Sequence, residues 1–240
     1  MLRYSLIMHQ VLLPDLQPEW PVPLDLQLGL NEVLLLEGVA WNEAKAFWQV
    51  AATLAVPAQG EVLYWGKSRE QLPRSELFLL RRQIAYIAAG QVLLQHLDLG
   101  ENIALALCYH HDLTVSQVLE EQGEFLDRLG LKPYLHWLPA HLPPHLYWLG
   151  IWARELVKGP ELVLACLEGP GWMKRNQEVL QGVLEARIAR NQGAFLLAGR
   201  ELGAFYPRAH RVLRPVAGSF SENLLLQTRE RSPVAFFPLI

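Results

Sequence analysis

Cysteine is nearly absent from this chain: Cys108 and Cys166 are the only two among 240 residues. They have no CxxC spacing, which excludes a disulfide framework and leaves buried thiols in a reducing cytoplasm as the expectation. Charge is sparse, at 19% of residues, and 24 acidic against 21 basic residues leave a net −3. That balance carries no footprint for nucleic acid or for an anionic membrane surface, so neither is expected as a partner. Apolar runs such as Val33 to Leu36 and Leu224 to Leu226 fall far short of the roughly 18 residues that span a bilayer, so no direct membrane span is expected. Met1 to Leu13 lacks a basic stretch followed by a long apolar core and a small-residue cleavage site, and no secretory signal is read there. No GxSxG elbow, GxGxxG fingerprint or HExxH pair occurs. His141 and His145 have the i, i+4 spacing of a metal pair, but Pro143 and Pro144 lie between them, and no metal site is expected.

Apolar residues, in contrast, make up 51% of the chain, enough for one sizeable core or two small lobes. Leu2 to Met8, Pro23 to Leu28, Glu32 to Glu37 and Glu61 to Trp65 are short apolar or alternating runs bounded by Pro, Gly or Asn, and predict strands. Asn42 to Leu54 sets Ala46, Phe47, Val50, Ala51 and Leu54 on one helical face, with Asn42 as its predicted N-cap. Leu99 to Val157 predicts helices, including an amphipathic Thr114 to Gly130 and a helix from about Leu146 after Pro143-Pro144. Glu161 to Leu167 and Gly193 to Ala198 are uninterrupted apolar strands separated by a helix-like Glu178 to Asn191. Such strands predict a parallel sheet covered on both faces.

In order along the chain, these blocks resemble the ATPase (nucleotide-binding) subunit of ABC transporters. VLLLEG, a helix, then PAQGEVLYWG (Pro57 to Gly66) is similar to that family's strand, phosphate loop, helix and following strand. RRQIAYI followed by LLQHLDLGENIALAL resembles the stretch around its Q-loop and the entry to its helical subdomain. LDRLGLKPYLHWLPAHL and ARELVKGPELVLACLE resemble the run into its signature helix and Walker B strand. The resemblance implies an α/β fold, P-loop NTPase-like (RecA-like), with a parallel sheet and an inserted helical subdomain. Residues 1–240 would form one such domain, with 1–90 and 161–240 as the α/β core and 91–160 as the helical subdomain.

The residues that carry that family's chemistry are replaced. A phosphate loop GxxxxGK[S/T] needs close backbone approach, a lysine and a magnesium-binding hydroxyl. Here the stretch is Gly38-Val39-Ala40-Trp41-Asn42-Glu43-Ala44-Lys45, with Trp41 and Glu43 in place of glycines, Ala44 in place of the lysine and Lys45 in place of the hydroxyl. Lys45 is then either a solvated helix residue or slips one position to reach a phosphate. The Q-loop glutamine falls on Ala89, with Gln91 two residues later, and the signature falls on Leu142-Pro143-Pro144-His145-Leu146, whose prolines have no N–H. The Walker B acids fall on Cys166 and Leu167, Glu168 lies one step late, and Arg200 occupies the place of the switch histidine. The D-loop aspartate falls on Met173, and the adenine-stacking aromatic has no clear counterpart near Pro14-Asp15.

These losses predict a pseudo-ATPase: no catalytic residue, no cofactor, and ATP with magnesium only if the pocket retains binding. The resemblance implies an integral membrane permease as partner, a dimer with itself or a paralogous subunit, and a cytoplasmic place on the inner face of the membrane. Gly100 to Val118 (GENIALALCYHHDLTVSQV) and Ser232 to Phe237 (SPVAFF) further resemble subunits of bacterial intermembrane phospholipid transport, the MCE-associated branch. The permease would dock along Ala88, Ala89, Gly90, Gln91, Leu93, Leu94, His96 and Leu97, unless these leucines fill the local core. Trp148 and Trp152, at i and i+4, form either a partner-facing patch or part of the core. Two other readings stay open: a divergent ATPase using Lys45, Gln91 and Glu168 in shifted register, and a soluble self-dimerising regulator.

Overall fold

The computed structural model describes residues 4–13, 23–39, 44–88, 90–168, 174–216 and 219–224. Two sheets organise the chain. The strands β1 (Tyr4–Leu12), β2 (Leu24–Gly29), β4 (Gln59–Tyr64) and β5 (Lys67–Ser68) pair antiparallel in the order β2-β1-β4-β5. The second sheet contains β3 (Val33–Glu37), β6 (Ile84–Ile87), β7 (Leu162–Cys166), β8 (Ala194–Gly199), β9 (Arg211–Val216) and β10 (Ser219–Leu224). Its order is β10-β9-β3-β8-β7-β6, parallel except for the antiparallel pairing of β10 on β9. Non-sequential parallel neighbours require crossover connections, and helices supply them.

Those helices are α1 (Lys45–Ala51), α2 (Arg74–Arg82), α3 (Leu99–His111), α4 (Val115–Glu121), α5 (Gly123–Arg128), α6 (Pro144–Leu156) and α7 (Lys174–Ala189). Helices α3 to α6 all fall between β6 and β7. The start of α3 is fixed by a capping box: Asp98 accepts the Glu101 N–H, and the Glu101 carboxylate accepts the Asp98 N–H. Thr114 and Gln117 do the same for α4. The predicted helix over Thr114 to Gly130 is two short helices, because the chain turns out of α4 at Gln122 and restarts at Gly123. Helix α1 is shorter than the predicted Asn42 to Leu54. Asn42 lies outside the described residues, and Ala44 stands at the N-cap with no side-chain hydrogen bond.

Strand pleating divides the interior in two. Val33, Leu35, Val163, Ala165, Phe195 and Leu197 face a core shared with α3, α6 and α7. Their neighbours Leu34, Leu36, Leu162, Leu164, Ala194 and Leu196 face a second core closed by α1 and the antiparallel sheet. Because side chains alternate across a strand, strands buried on both sides must read as continuous apolar runs, as β3, β7 and β8 do. Trp148 (7% exposed) and Trp152 (1%) belong to the first core, with ring centroids 5.2 Å apart. The expectation that they form a partner-facing patch is corrected: the i, i+4 face of α6 that carries them turns toward α3 and the sheet.

Candidate functional site

Open parallel sheets bind ligands outside the carboxyl ends of their strands. Here that edge gathers Glu37 and Gly38 after β3, Cys166 to Glu168 at β7, and Gly199 and Arg200 at β8. Two backbone bonds hold these exits together: Gly38 N–H donates to the Gly199 carbonyl at 3.0 Å, and Leu167 N–H to the Ala198 carbonyl at 2.7 Å. Gly38 leaves β3 at φ +80, a left-handed conformation that glycine adopts without steric cost.

Of the phosphate-loop positions, Ala40, Trp41, Asn42 and Glu43 lie outside the described residues, as do Ala89, Met173 and the tail Ser232 to Phe237. Ala44, at the lysine position, is wholly buried, and Lys45 is exposed with no hydrogen bond or ion pair among the described residues. The helix it opens has seven residues.

The edge is instead occupied by the chain's own side chains. The Glu37 carboxylate accepts the Leu202 N–H (3.0 Å), the Tyr206 hydroxyl and the Arg214 Nε–H (2.8 Å), while Arg214 also donates to the Tyr206 oxygen. Burial alone would raise the Glu37 carboxyl, but the bonds from Tyr206, Leu202 and Arg214 outweigh it and hold it below the usual carboxylate range. At β7 the residue that the resemblance matches to the metal-binding acid is Cys166, 2% exposed, whose thiol burial pushes up to about 12 with a further rise from Glu168. A buried neutral thiol is a poor magnesium ligand, since that ion requires hard oxygen donors. Leu167 is buried beside it. Glu168 accepts the Arg200 N–H at 3.1 Å, with the Arg200 Nε 3.7 Å away. Glu168, the shifted carboxylate candidate, is therefore engaged by Arg200, the residue matched to the switch histidine.

Glu37 stabilises the fold in a pH-dependent way. Its folded pKa lies below its unfolded value, so its contribution is complete above the unfolded value and disappears as pH falls through the depressed folded one. Glu37→Gln is expected to cost about 2 kcal/mol at neutral pH, the range for hydrogen bonds to a charged acceptor. The variant and parent should converge at acidic pH below the depressed folded value, where the carboxyl is neutral in both states. Urea unfolding at both pH values checks this; an equal loss at both would remove the charge from the account.

At the stretch that the resemblance matches to the signature, two prolines open a helix. Pro143 is the N-cap of α6 and Pro144 its first residue; neither has an N–H to offer. Beyond them, the Leu146 and Tyr147 N–H groups both donate to the Pro143 carbonyl. His145 is held below its ordinary pKa by burial and by the Arg175 charge.

Residues 91–98 form a loop pinned from three sides, which sequence reasoning missed. Asn102, fully buried, accepts the Leu94 N–H (2.7 Å) and donates to the carbonyls of Leu94, Leu97 and Asp98. Leu93 N–H donates to the Tyr147 hydroxyl (2.8 Å), and Arg154 donates to the Val92 carbonyl (2.8 Å). Gln91 donates to the Tyr86 carbonyl at 2.6 Å, folding back over its own strand. Of the predicted docking residues, Leu93 is 1% exposed and packs in the core, which corrects its expected surface role. Leu94 (39% exposed) and its neighbour Val92 (62%) face outward, Gly90 and His96 are exposed, and Ala88 and Leu97 are half-buried. An asparagine directly after the capping-box glutamate was the available signal for this loop.

Among the described residues, no three His, Cys, Asp or Glu side chains group to hold a metal ion, and no helix is long and apolar enough to cross a membrane.

Comparison with known proteins gives the same architecture. No protein-family profile matches the chain. It is 29% identical over 165 residues to the macrolide export ATP-binding/permease protein MacB of Wolinella succinogenes, covering 68% of this chain and 25% of that one. It is 26% identical over 180 residues to the lipoprotein-releasing system ATP-binding protein LolD 2 of Chlorobaculum tepidum, covering 72% of each. With the LolD protein of Myxococcus xanthus it shares 31% identity over 146 residues, 60% of this chain and 63% of that one. The match thus spans a quarter of the macrolide exporter's length. Among solved structures, the dimeric ATP-binding cassette MJ0796 bound to ADP and Pi superposes with a TM-score of 0.78 at 17% identity, covering 92% of this chain and 98% of that one. An ATP-binding subunit of an ABC transporter gives 0.76 at 18% identity, covering 92% and 90%. The chain is thus similar in sequence to ATP-binding subunits of ABC transporters and shares the fold of solved ABC ATP-binding cassettes.

Proposed function

We propose that this subunit is a pseudo-ATPase that works by contact: it binds a membrane permease from the cytoplasmic side and has given up ATP hydrolysis. The carrying observation is the state of the sheet's carboxyl edge, where a buried thiol (Cys166) stands in the metal-ligand position and both nearby carboxylates, Glu37 and Glu168, are engaged by Arg214 and Arg200. Neither ATP nor magnesium is a required cofactor on this reading. Residues 91–160 serve as the helical subdomain, and the chain pairs with a second copy or with a paralogous subunit.

The permease docks on the pinned loop at 91–98, where Val92 and Leu94 present apolar surface beside exposed His96. A loop tied to α3 and α6 by Asn102, Tyr147 and Arg154 is pre-ordered, so docking loses little conformational entropy. The cargo is an apolar, lipid-bearing molecule. The relatives' names speak of lipoprotein release and macrolide export, and the 100–118 stretch favours phospholipid within that class.

Leu94→Asp tests the docking face. Leu94 is exposed, so the variant should keep its melting temperature while its recovery with an integral membrane protein from detergent-solubilised membranes drops at least tenfold, a loss of about 1.4 kcal/mol or more. Leu93→Asp is the contrasting control, because it buries a charge and should unfold the loop. Undiminished recovery of Leu94→Asp would reject this face.

A further inference from the structure

At the opposite, amino-terminal end of the parallel sheet lies a cavity of about 430 Å³ whose lining includes Arg187, Glu161, Trp65, Leu30, Ser5 and Asn31. Nothing in the proposed function uses it. Its geometry is set by backbone: Gly193, at φ +87, brings the chain so near the Glu161 carbonyl that an added Cβ would stand 2.7 Å from that oxygen.

Three features of the lining point to a ligand. Arg187 lies with its guanidinium 5.9 Å from the Phe195 ring centroid and donates to the carbonyls of Pro160 and Gln192. Among the described residues it has no carboxylate partner, so three of its five N–H donors have no protein acceptor. Burial draws its pKa down to about 10. Glu161, exposed on the same cavity, likewise has no ion-pair partner among the described residues. The Ser5 hydroxyl, in a residue 1% exposed, has no hydrogen-bond partner among them either.

We propose that this cavity binds a small zwitterion, a free α-amino acid with an apolar side chain, with its carboxylate on Arg187, its ammonium on Glu161 and its side chain against Trp65 and Leu30. A cation and an anion that line one cavity without pairing are complementary to a ligand carrying both charges. A dianion such as a phosphate would be repelled by Glu161, and a simple cation by Arg187. The guanidinium fork suits a planar carboxylate, and the volume lies in the range of small-molecule sites. The Ser5 hydroxyl and the Asn31 amide supply further polar contacts at the wall.

Calorimetric titration of the full chain with L-phenylalanine, L-leucine, 3-phenylpropanoate and phenethylamine tests this. At least one of the two amino acids should bind saturably. The propanoate, lacking the ammonium, and the amine, lacking the carboxylate, should bind at least tenfold more weakly. Glu161→Gln, at an exposed position, should bring the amino acid down to the affinity of the propanoate and leave the propanoate unchanged; Arg187→Lys should weaken both. No saturable heat from either amino acid up to ~10 mM, equal affinity for charged and half-charged probes, or no effect of Glu161→Gln would each overturn the proposal.

Discussion

Incubated with magnesium and ATP, the purified chain is expected to release ADP no faster than a protein-free control, and Lys45→Ala and Glu168→Ala are expected to leave that baseline unchanged. Phosphoryl transfer depends on positioned charge: a metal ion, its carboxylate, a group that orients water, and donors around the phosphates. On the proposed reading the metal position holds Cys166, a buried thiol, the adjoining position holds Leu167, also buried, and the carboxylate one step beyond, Glu168, accepts the Arg200 N–H. Loss of a single preorganised electrostatic group costs about 10²–10³ in rate, and loss of a general base a similar factor. Two such losses together put turnover at or below detection. Steady ADP release that falls in Glu168→Ala would restore the divergent-ATPase reading, and with it a catalytic role for that carboxylate.

Trp152→Ala is expected to lower the unfolding free energy by about 3–5 kcal/mol, the usual cost of emptying a large aromatic site. The indole is 1% exposed, packs on Trp148 and sits in the core that joins α6 to β6, β7 and β8. Urea unfolding should show a lower midpoint with an unchanged slope. A loss below about 1 kcal/mol, the ordinary effect of a surface change, would return Trp152 to the partner-facing role.

The contrast between these two sites explains what was legible beforehand. β3, β7 and β8 could be read because burial on both faces leaves an unbroken apolar run, and α6 because the Pro143-Pro144 pair marks its start. The direction a helix face takes was not legible: Trp148 and Trp152 have the same spacing whether they face solvent or β-sheet. Helix α2 was passed over because Phe78 and Leu79, its most apolar pair, are exposed while only Leu80 is buried. The residue types at the positions matched to the Walker motifs were readable from the sequence one by one. The partners that occupy the edge were not, since Glu37 meets Tyr206 and Arg214 from 169 and 177 residues away. Likewise Asn102 reads as part of a helix start, whereas its work is on the loop before it.

The division of the interior between odd and even strand positions carries a last consequence. Each central strand serves two masters, so adding or deleting one residue inside β7 would exchange Val163 and Ala165 with Leu162 and Leu164 and spoil both interiors at once. Substitutions at Gly38, Glu168 or Arg200, just past the strand ends, lie outside both interiors. A one-residue insertion in the middle of a strand is therefore far more damaging than a substitution at one of these exits.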